Sequence, residues 1–213
     1  MTDPRTAPRN FRHATSGAGR PTCGQLHQVN KGHGGAVNTG IANATGMYVK
    51  VVDADDWVDM PSIDTLMGTL RVQRVATDPV DMIVTNYVYD KVGKRVKHTV
   101  NFRHAMAANT VLGWDDLGCF GVAEYILMHA LIYRTQVVRD SGMQLPEHTF
   151  YVDFIYAYQP FPWVKSMLYM DIPVLPLLHR REGAERTDRR DDPPRRAAAA
   201  RQPAHGGGHS RTG

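Results

Sequence analysis

Asp53, Asp55 and Asp56 stand together near the end of the segment MYVKVVDADDWVD (47–59). Carboxylates this close repel one another and raise each other's pKa, and a hard divalent cation such as Mg²⁺ or Mn²⁺ removes that cost by taking oxygen ligands. The same residues also suit a plainer role, because Asp opens turns and caps helices, and a helix is expected just beyond Pro61. Two further acids, Glu147 and Asp153, flank the apolar segment EHTFYVDFIYAYQ (147–159). His129, inside the run YILMHALIY, reads as a hydrogen-bonded core histidine rather than a ligand. His205 and His209 lie in a Gly-rich stretch, where a weak adventitious metal site is the most that composition supports.

Elements that would position these groups follow from apolar periodicity. Met47, Tyr48, Val49, Val51 and Val52 form a β-type run that ends at the acids, and ligands of open α/β sheets collect outside such strand ends. Upstream, a turn with Gly32, Gly34 and Gly35 leads into a helix carrying Ala36, Val37, Ile41, Ala42 and Ala44, with Gly46 placed to close it. The free N–H groups of that helix start would favour a phosphate, although an ordinary tight loop fits the glycines equally well. Beyond the acids, Pro61 opens a helix with Ile63, Leu66, Met67 and Leu70 at helical spacing and Asp64 near its positive end. Residues 81–90 predict a strand, turned at Lys91–Lys94 into a second strand from Arg95 to Phe102. A loop from Trp114 to Gly121 contains Asp115 and Asp116. Tyr125–Tyr133 predicts a buried strand, followed by a helix from Arg134 to Gly142. Thr149 is placed to cap a helix bearing Phe150, Phe154, Ile155 and Tyr158, and WVKSMLYMDIPV (163–174) predicts a last strand.

The 213 residues and 42% hydrophobic content suit one soluble domain with a core. Much of the Arg behind the net charge of +4 sits at the two ends, mixed with Asp and Glu and without interleaved aromatics, which argues against a nucleic-acid partner. Cys23 and Cys119 are far apart with no metal-type spacing, in keeping with a reducing compartment. No stretch is apolar and long enough to span a bilayer, so the expected location is cytoplasmic, at most peripheral at the inner face of the membrane.

Taken in order, HQVNKGHGGAVNTGIANATG (27–46) followed at once by MYVKVVDADDWVD resembles the family 2 glycosyltransferases of GT-A fold. In that family a Gly-containing turn and an R-N-x-G-type helix lead into the strand bearing the D-x-D motif. Here the helix motif is Val37-Asn38-Thr39-Gly40, without the usual Arg. The segment TFYVD resembles the family's stretch ending in Glu-Asp, with Asp153 at the Asp position and Val152 in place of the Glu. The resemblance implies an α/β fold, a GT-A mixed sheet with flanking helices that lacks its first strands, and disordered tails. The family's opening strands, ending in V-Y-N-type and D-G-S-T-D motifs, have no counterpart ahead of Gln28. It implies a nucleotide-sugar donor held by Asn30, Gly35, Asn38 and Asp53, a Mn²⁺ or Mg²⁺ cofactor on Asp55, and Asp153 as the general base. The implied reaction is inverting transfer of a sugar to a glycan or other hydroxyl acceptor in cell-surface polysaccharide or glycan synthesis. Neither donor sugar nor acceptor is specified.

Residues 22–173 are expected to form the partial GT-A domain, with 1–21 and 174–213 as disordered tails translated out of frame. Two other functions stay open: a catalytically inactive truncated remnant, and a weak binder of nucleic acid or acidic partners through Arg-rich tails. The frame hypothesis rests on back-translation. Met1–Arg9 can be encoded so that a shifted frame spells Asp-Gly-Ser-Thr-Asp, and Val174–Thr187 so that one spells Tyr-Phe-Ile-Gly-Gly-Arg-Ala-Gln-Ser-Val, a stretch that resembles the family's continuation. Sequencing the coding DNA is expected to reveal codons that spell both; codons that spell neither would make the tails native.

Overall fold

The computed structural model describes Gly24, Leu26 and residues 28–54, 56–91, 98–122 and 124–179. Asp55, residues 92–97 and most of both expected tails lie outside these. The sheet is built around β2 (Met82–Lys91) and β6 (Met167–His179), which pair in parallel along nearly their whole length. β5 (Leu131–Arg134) runs antiparallel on the other side of β2, and β1 (Tyr48–Val49) lies antiparallel beyond it. β4 (Val111–Leu112) borders β6, and β3 (His98–Val100) folds back on the far end of β2. The result is a mixed six-stranded sheet of order β1-β5-β2-β6-β4, with β3 on β2.

Helices cover both faces, which explains why β2 and β6 are nearly continuous apolar runs. Met82 and Val84 join a large core with Val37 and Ile41 of α1 (Gly32–Asn43), Val137 and Val138 of α3 (Thr135–Asp140), and Val152 and Tyr156 of α4 (Val152–Tyr158). Ile83, one residue out of phase, joins Ile132, Leu168 and Met170 in a second core under Leu66 of α2 (Met60–Val75). Of the predicted α2 stripe, Ile63, Leu66 and Leu70 pack there, whereas Met67 is exposed. Its cap is Asp59, which accepts hydrogen bonds from the Ser62 backbone at 3.0 Å and hydroxyl at 2.7 Å. Capping therefore does not account for the acids ahead of it.

The β2–β6 pairing shifts register around Asn86, where Thr85 faces Met170 and Asn86 faces Pro173. Pro173 has no N–H for the ladder, so a bulge is its natural place in a central strand. Side chains take over the bonding at this point. Asn86 Nδ2 donates to Asp171 Oδ1 at 2.8 Å, Arg103 Nε donates to Asp171 Oδ2 at 2.5 Å, and the Tyr169 hydroxyl donates to Asn86 Oδ1 at 2.8 Å. Partial burial opposes ionisation of Asp171, but these donors outweigh it and hold the carboxyl below its usual range.

Several sequence expectations change. The boundary after residue 173 falls inside β6, which runs on to His179 because Val174 and Leu175 are buried against the core. The strand expected over Met47–Val52 pairs only at Tyr48 and Val49, opposite Arg134 and Tyr133 of β5, which itself begins after a 3₁₀ turn at Met128–Ala130. That turn shortens the strand expected over Tyr125–Tyr133. Gly46 does not close α1 in a left-handed conformation; the helix ends at Asn43 with Ala44 extended. Gly142 does close α3, at φ 62°. The hairpin strand is confirmed at His98–Val100. No helix among the described residues is long and apolar enough to cross a membrane.

Asp171→Asn is expected to destabilise the fold at neutral pH by roughly 1.5–3 kcal/mol, the usual worth of hydrogen bonds to a charged group. A carboxyl whose folded pKa is depressed contributes above its unfolded pKa, and that contribution is lost as pH falls through the folded value. Urea denaturation of parent and variant should therefore show a gap that is full above about pH 4 and closes at lower pH.

Candidate active site

The acids meet α1 and α4 beside the end of β1. A turn closed by Asp56 N–H donating to Asp53 C=O at 3.1 Å ends the β1 segment. Asp53, Asp56 and His129 each offer one ligand atom, all within 4.8 Å of one another, and all three residues are half-buried. Asp53 Oδ1 and His129 Nδ1 are buried and have no hydrogen-bond partner. Orphaned polar atoms of this kind are rare and costly, and a cation between a carboxylate and an imidazole would satisfy both. Burial lowers the pKa of His129 against the opposing pull of Asp53 and Asp153, which favours the neutral, ligating imidazole. His129 is thus part of the acid cluster rather than the hydrogen-bonded core histidine expected from the sequence. The 3₁₀ turn at Met128–Ala130 places it there, and the backbone of the same residue accepts a 2.8 Å hydrogen bond from Lys50 Nζ. Burial lowers the Lys50 pKa to about 7.

A second histidine connects the cluster to Asp153. His33, in the first turn of α1, has Nδ1 3.8 Å from Asp53 Oδ1 and Nε2 3.8 Å from Asp153 Oδ1. Asp153 occupies the first turn of α4, where the helix dipole favours a negative charge. Thr149 does not cap that helix, because its hydroxyl donates back to the Glu147 carbonyl. Tyr151 precedes α4 instead, in the left-handed conformation at φ 63°, a strained backbone for a bulky residue. Glu147 pairs with Lys31 at 3.0 Å.

α1 is fixed against the segment leading to α4. Asn38 donates from Nδ2 to the Leu145 carbonyl at 2.8 Å and accepts the Leu145 N–H on Oδ1 at 2.9 Å. His148 N–H donates to the Lys31 carbonyl at 3.1 Å. Gly34 permits this approach, because a Cβ there would lie 2.3 Å from the Pro146 carbonyl oxygen. Of the residues assigned to the donor by resemblance, Asn38 spends its amide on Leu145. Asn30 accepts the Gly32 N–H at 2.9 Å, and a Cβ on Gly35 would meet the Lys31 side chain. Asp53 alone among them joins the acid cluster, and Asp55 lies outside the described residues. A cavity of about 480 Å³ opens between α1 and the Val49–Ala54 segment, with His33, Lys50 and Asp53 as its ionisable lining. Sequence reasoning assigned no role to His33 or Lys50, and took Asp56 only as one of three acids whose repulsion a cation would relieve. The signal for His33 was present, a lone imidazole inside the Gly-rich turn ahead of the acids. None existed for Lys50, whose burial is a tertiary effect.

Residues 25–125 match the family model Glycosyl transferase family 2. Over that stretch, just under half of its length, the chain is similar to glycosyl transferase family 2. It is 31% identical over 71 residues to EpsH of Bacillus subtilis (strain 168), a protein named as a glycosyltransferase, covering 32% of this chain and 19% of EpsH. It is 36% identical over 62 residues to the glycosyltransferase GlyA of Streptococcus pneumoniae, covering 29% of this chain and 8% of GlyA. The crystal structure of S. aureus TarS 1-349 superposes with a TM-score of 0.51 at 16% identity, covering 72% of this chain and 42% of that one. TarS 1-349 in complex with UDP-GlcNAc gives the same score over 73% of this chain and 41% of that one. The chain therefore spans less than half the length of each, and the structural likeness establishes the GT-A fold.

The contact at Gly34 is testable within one helix. Gly34→Ala is expected to cost about 1–3 kcal/mol, since its Cβ must displace backbone. Gly40→Ala, with nothing within 4 Å, should instead stabilise α1 by about 0.5–1 kcal/mol. Chemical denaturation of both variants checks the pair.

Proposed function

We propose that this chain carries the catalytic centre of a metal-dependent, inverting glycosyltransferase that moves a sugar from a nucleotide-sugar donor to an acceptor hydroxyl. The observation that carries the reading is the juxtaposition of the Asp53–Asp56–His129 cluster with Asp153 across His33. Asp53, Asp56 and His129 would hold the cation, joined by Asp55 on the strength of the family motif. Because Mg²⁺ takes oxygen ligands and an imidazole suits transition metals, this mixed set favours Mn²⁺. When bound, the ion neutralises the charge of the nucleoside diphosphate leaving group.

Asp153 acts on the acceptor side. Its carboxylate takes the hydroxyl proton as the acceptor oxygen bonds to the anomeric carbon and the bond from that carbon to the diphosphate oxygen breaks. A single displacement of this kind inverts the carbon. The His33 ring stands between Asp153 and Asp53 and keeps the two carboxylates apart, so that one serves the donor and the other the acceptor. The half-exposed position of Asp153 leaves room for a hydroxyl. Lys50 lines the cavity beside Asp53 and adds a donor facing the nucleotide side. Synthesis of a cell-surface polysaccharide or glycan is the setting we assign, from the cytoplasm or the inner face of the membrane. The free, exposed Cys119 suits that reducing compartment.

Calorimetric titration of the chain with Mn²⁺ and UDP tests the assignment. Asp53→Asn and His129→Ala should each weaken Mn²⁺ binding on the order of 10–100-fold. Asp153→Asn should leave it intact while lowering sugar transfer by about 10²–10⁴. Unchanged Mn²⁺ affinity in the first two variants would remove the metal from this site, and normal turnover in the third would move the base elsewhere.

A further inference from the structure

Five aromatic rings contact one another in succession, through T-shaped, tilted and stacked pairs, on the segments around α4. Tyr125 meets Phe154 at 6.1 Å, Phe154 stacks on Tyr158 at 6.2 Å, and Tyr158 and Trp114 each meet Phe161 at 5.0 Å. Phe154, the second ring of the row, follows Asp153 directly in the first turn of α4. Rings that existed only to pack would be buried, yet Tyr125, Phe154, Tyr158 and Trp114 remain 47%, 43%, 38% and 40% exposed. Trp114 is held in place from behind, because its Nε1 donates to the Val164 carbonyl at 2.7 Å. Ring-to-ring contact fixes the others, so the faces are ordered before any ligand arrives.

We propose that this row is the track on which the acceptor binds, and that the acceptor is an oligosaccharide chain of several pyranose rings rather than a single small hydroxyl compound. The inference rests on Asp153 being the base. A pyranose presents an apolar face of C–H groups and a rim of hydroxyls, which suits an aromatic face with polar groups at its edge. Tyr125 and Tyr158 supply phenol oxygens within the row, and the exposed Asp115 and Asp116 adjoin Trp114 in sequence. Those acids also argue against an anionic lipid surface, which would repel them. A succession of partly exposed rings in contact fits successive sugars of one chain, whereas a protein partner would be better served by a compact patch with a buried centre.

The test is saturation-transfer NMR of the whole chain with cello-, chito-, malto- and mannohexaose and with the corresponding monosaccharides, in the absence of Mn²⁺ and nucleotide. At least one hexasaccharide should bind, and its monosaccharide should bind far more weakly. Trp114→Ala and Phe154→Leu should each weaken hexasaccharide binding roughly three- to tenfold. Phe154→Tyr, which keeps the ring, should retain it, and this separates stacking from packing. Lack of binding by every hexasaccharide, equal binding of monosaccharide, or indifference to loss of the rings would overturn the proposal. So would ring-dependent binding to phosphatidylglycerol vesicles in place of the sugars. Asp53→Asn should leave hexasaccharide binding unchanged, so a failed Mn²⁺ titration and a failed acceptor track give different results.

Discussion

The two hydrogen bonds between Asn38 and Leu145 govern the geometry of the site more than any others. They join a side chain of α1 to both polar groups of one residue more than a hundred positions away. An amide that donates and accepts to a single residue fixes orientation as well as distance. With Gly34 pressed on Pro146, the pair sets where α1 lies relative to the segment that leads into α4. His33 rides on that helix, Asp153 on the other, and Asp53 lies beside both. Loosening the contact by one side chain would part the donor carboxylate from the acceptor carboxylate without touching either.

Local strain and orphaned polarity gather near the centre, though Asn109 is also left-handed and the buried Tyr156 hydroxyl is also without a hydrogen-bond partner. Around the β2–β6 bulge, Asn86, Tyr169, Asp171 and Arg103 satisfy one another. Near Asp53, a carboxylate oxygen and an imidazole nitrogen are buried with no hydrogen-bond partner, and a lysine is held near neutrality by burial. The left-handed backbone of His148 and Tyr151 falls in the same neighbourhood, on the approach to α4. Such departures concentrate where a ligand is meant to complete the structure.

Much of this was legible in the residues themselves. Period-2 and helical patterns located α1, α2, β2, β3 and α3, and the acids after β1 marked the site, because these are local consequences of side-chain type. What escaped was nonlocal. Nothing in an apolar run distinguishes the short β5 from a longer strand with a turn ahead of it, so His129 read as core. Asn38 looked like a donor contact because its partner, Leu145, is distant in sequence. The end of β6 was misplaced for a similar reason: Pro173 reads as a breaker until a parallel neighbour shows that a bulge can absorb it. The aromatic spacing of α4 was seen, but which rings stay open depends on Trp114 and Phe161 from other segments.

The parallel pairing of β2 with β6 also has a consequence for biosynthesis. β2 is complete by Lys91, yet its principal neighbour ends at His179, so the middle of the sheet cannot close until nearly all the described chain has left the ribosome. Until then Met82, Ile83 and Val84 have only the later, short β5 as a companion strand on that side of the molecule. Long-range parallel closure is slow, because the loop must be ordered before its contacts form. The nascent chain therefore carries an open apolar strand from the completion of β2 until β6 emerges, and an unpaired strand exposed in that interval is open to aggregation whatever the stability of the finished sheet.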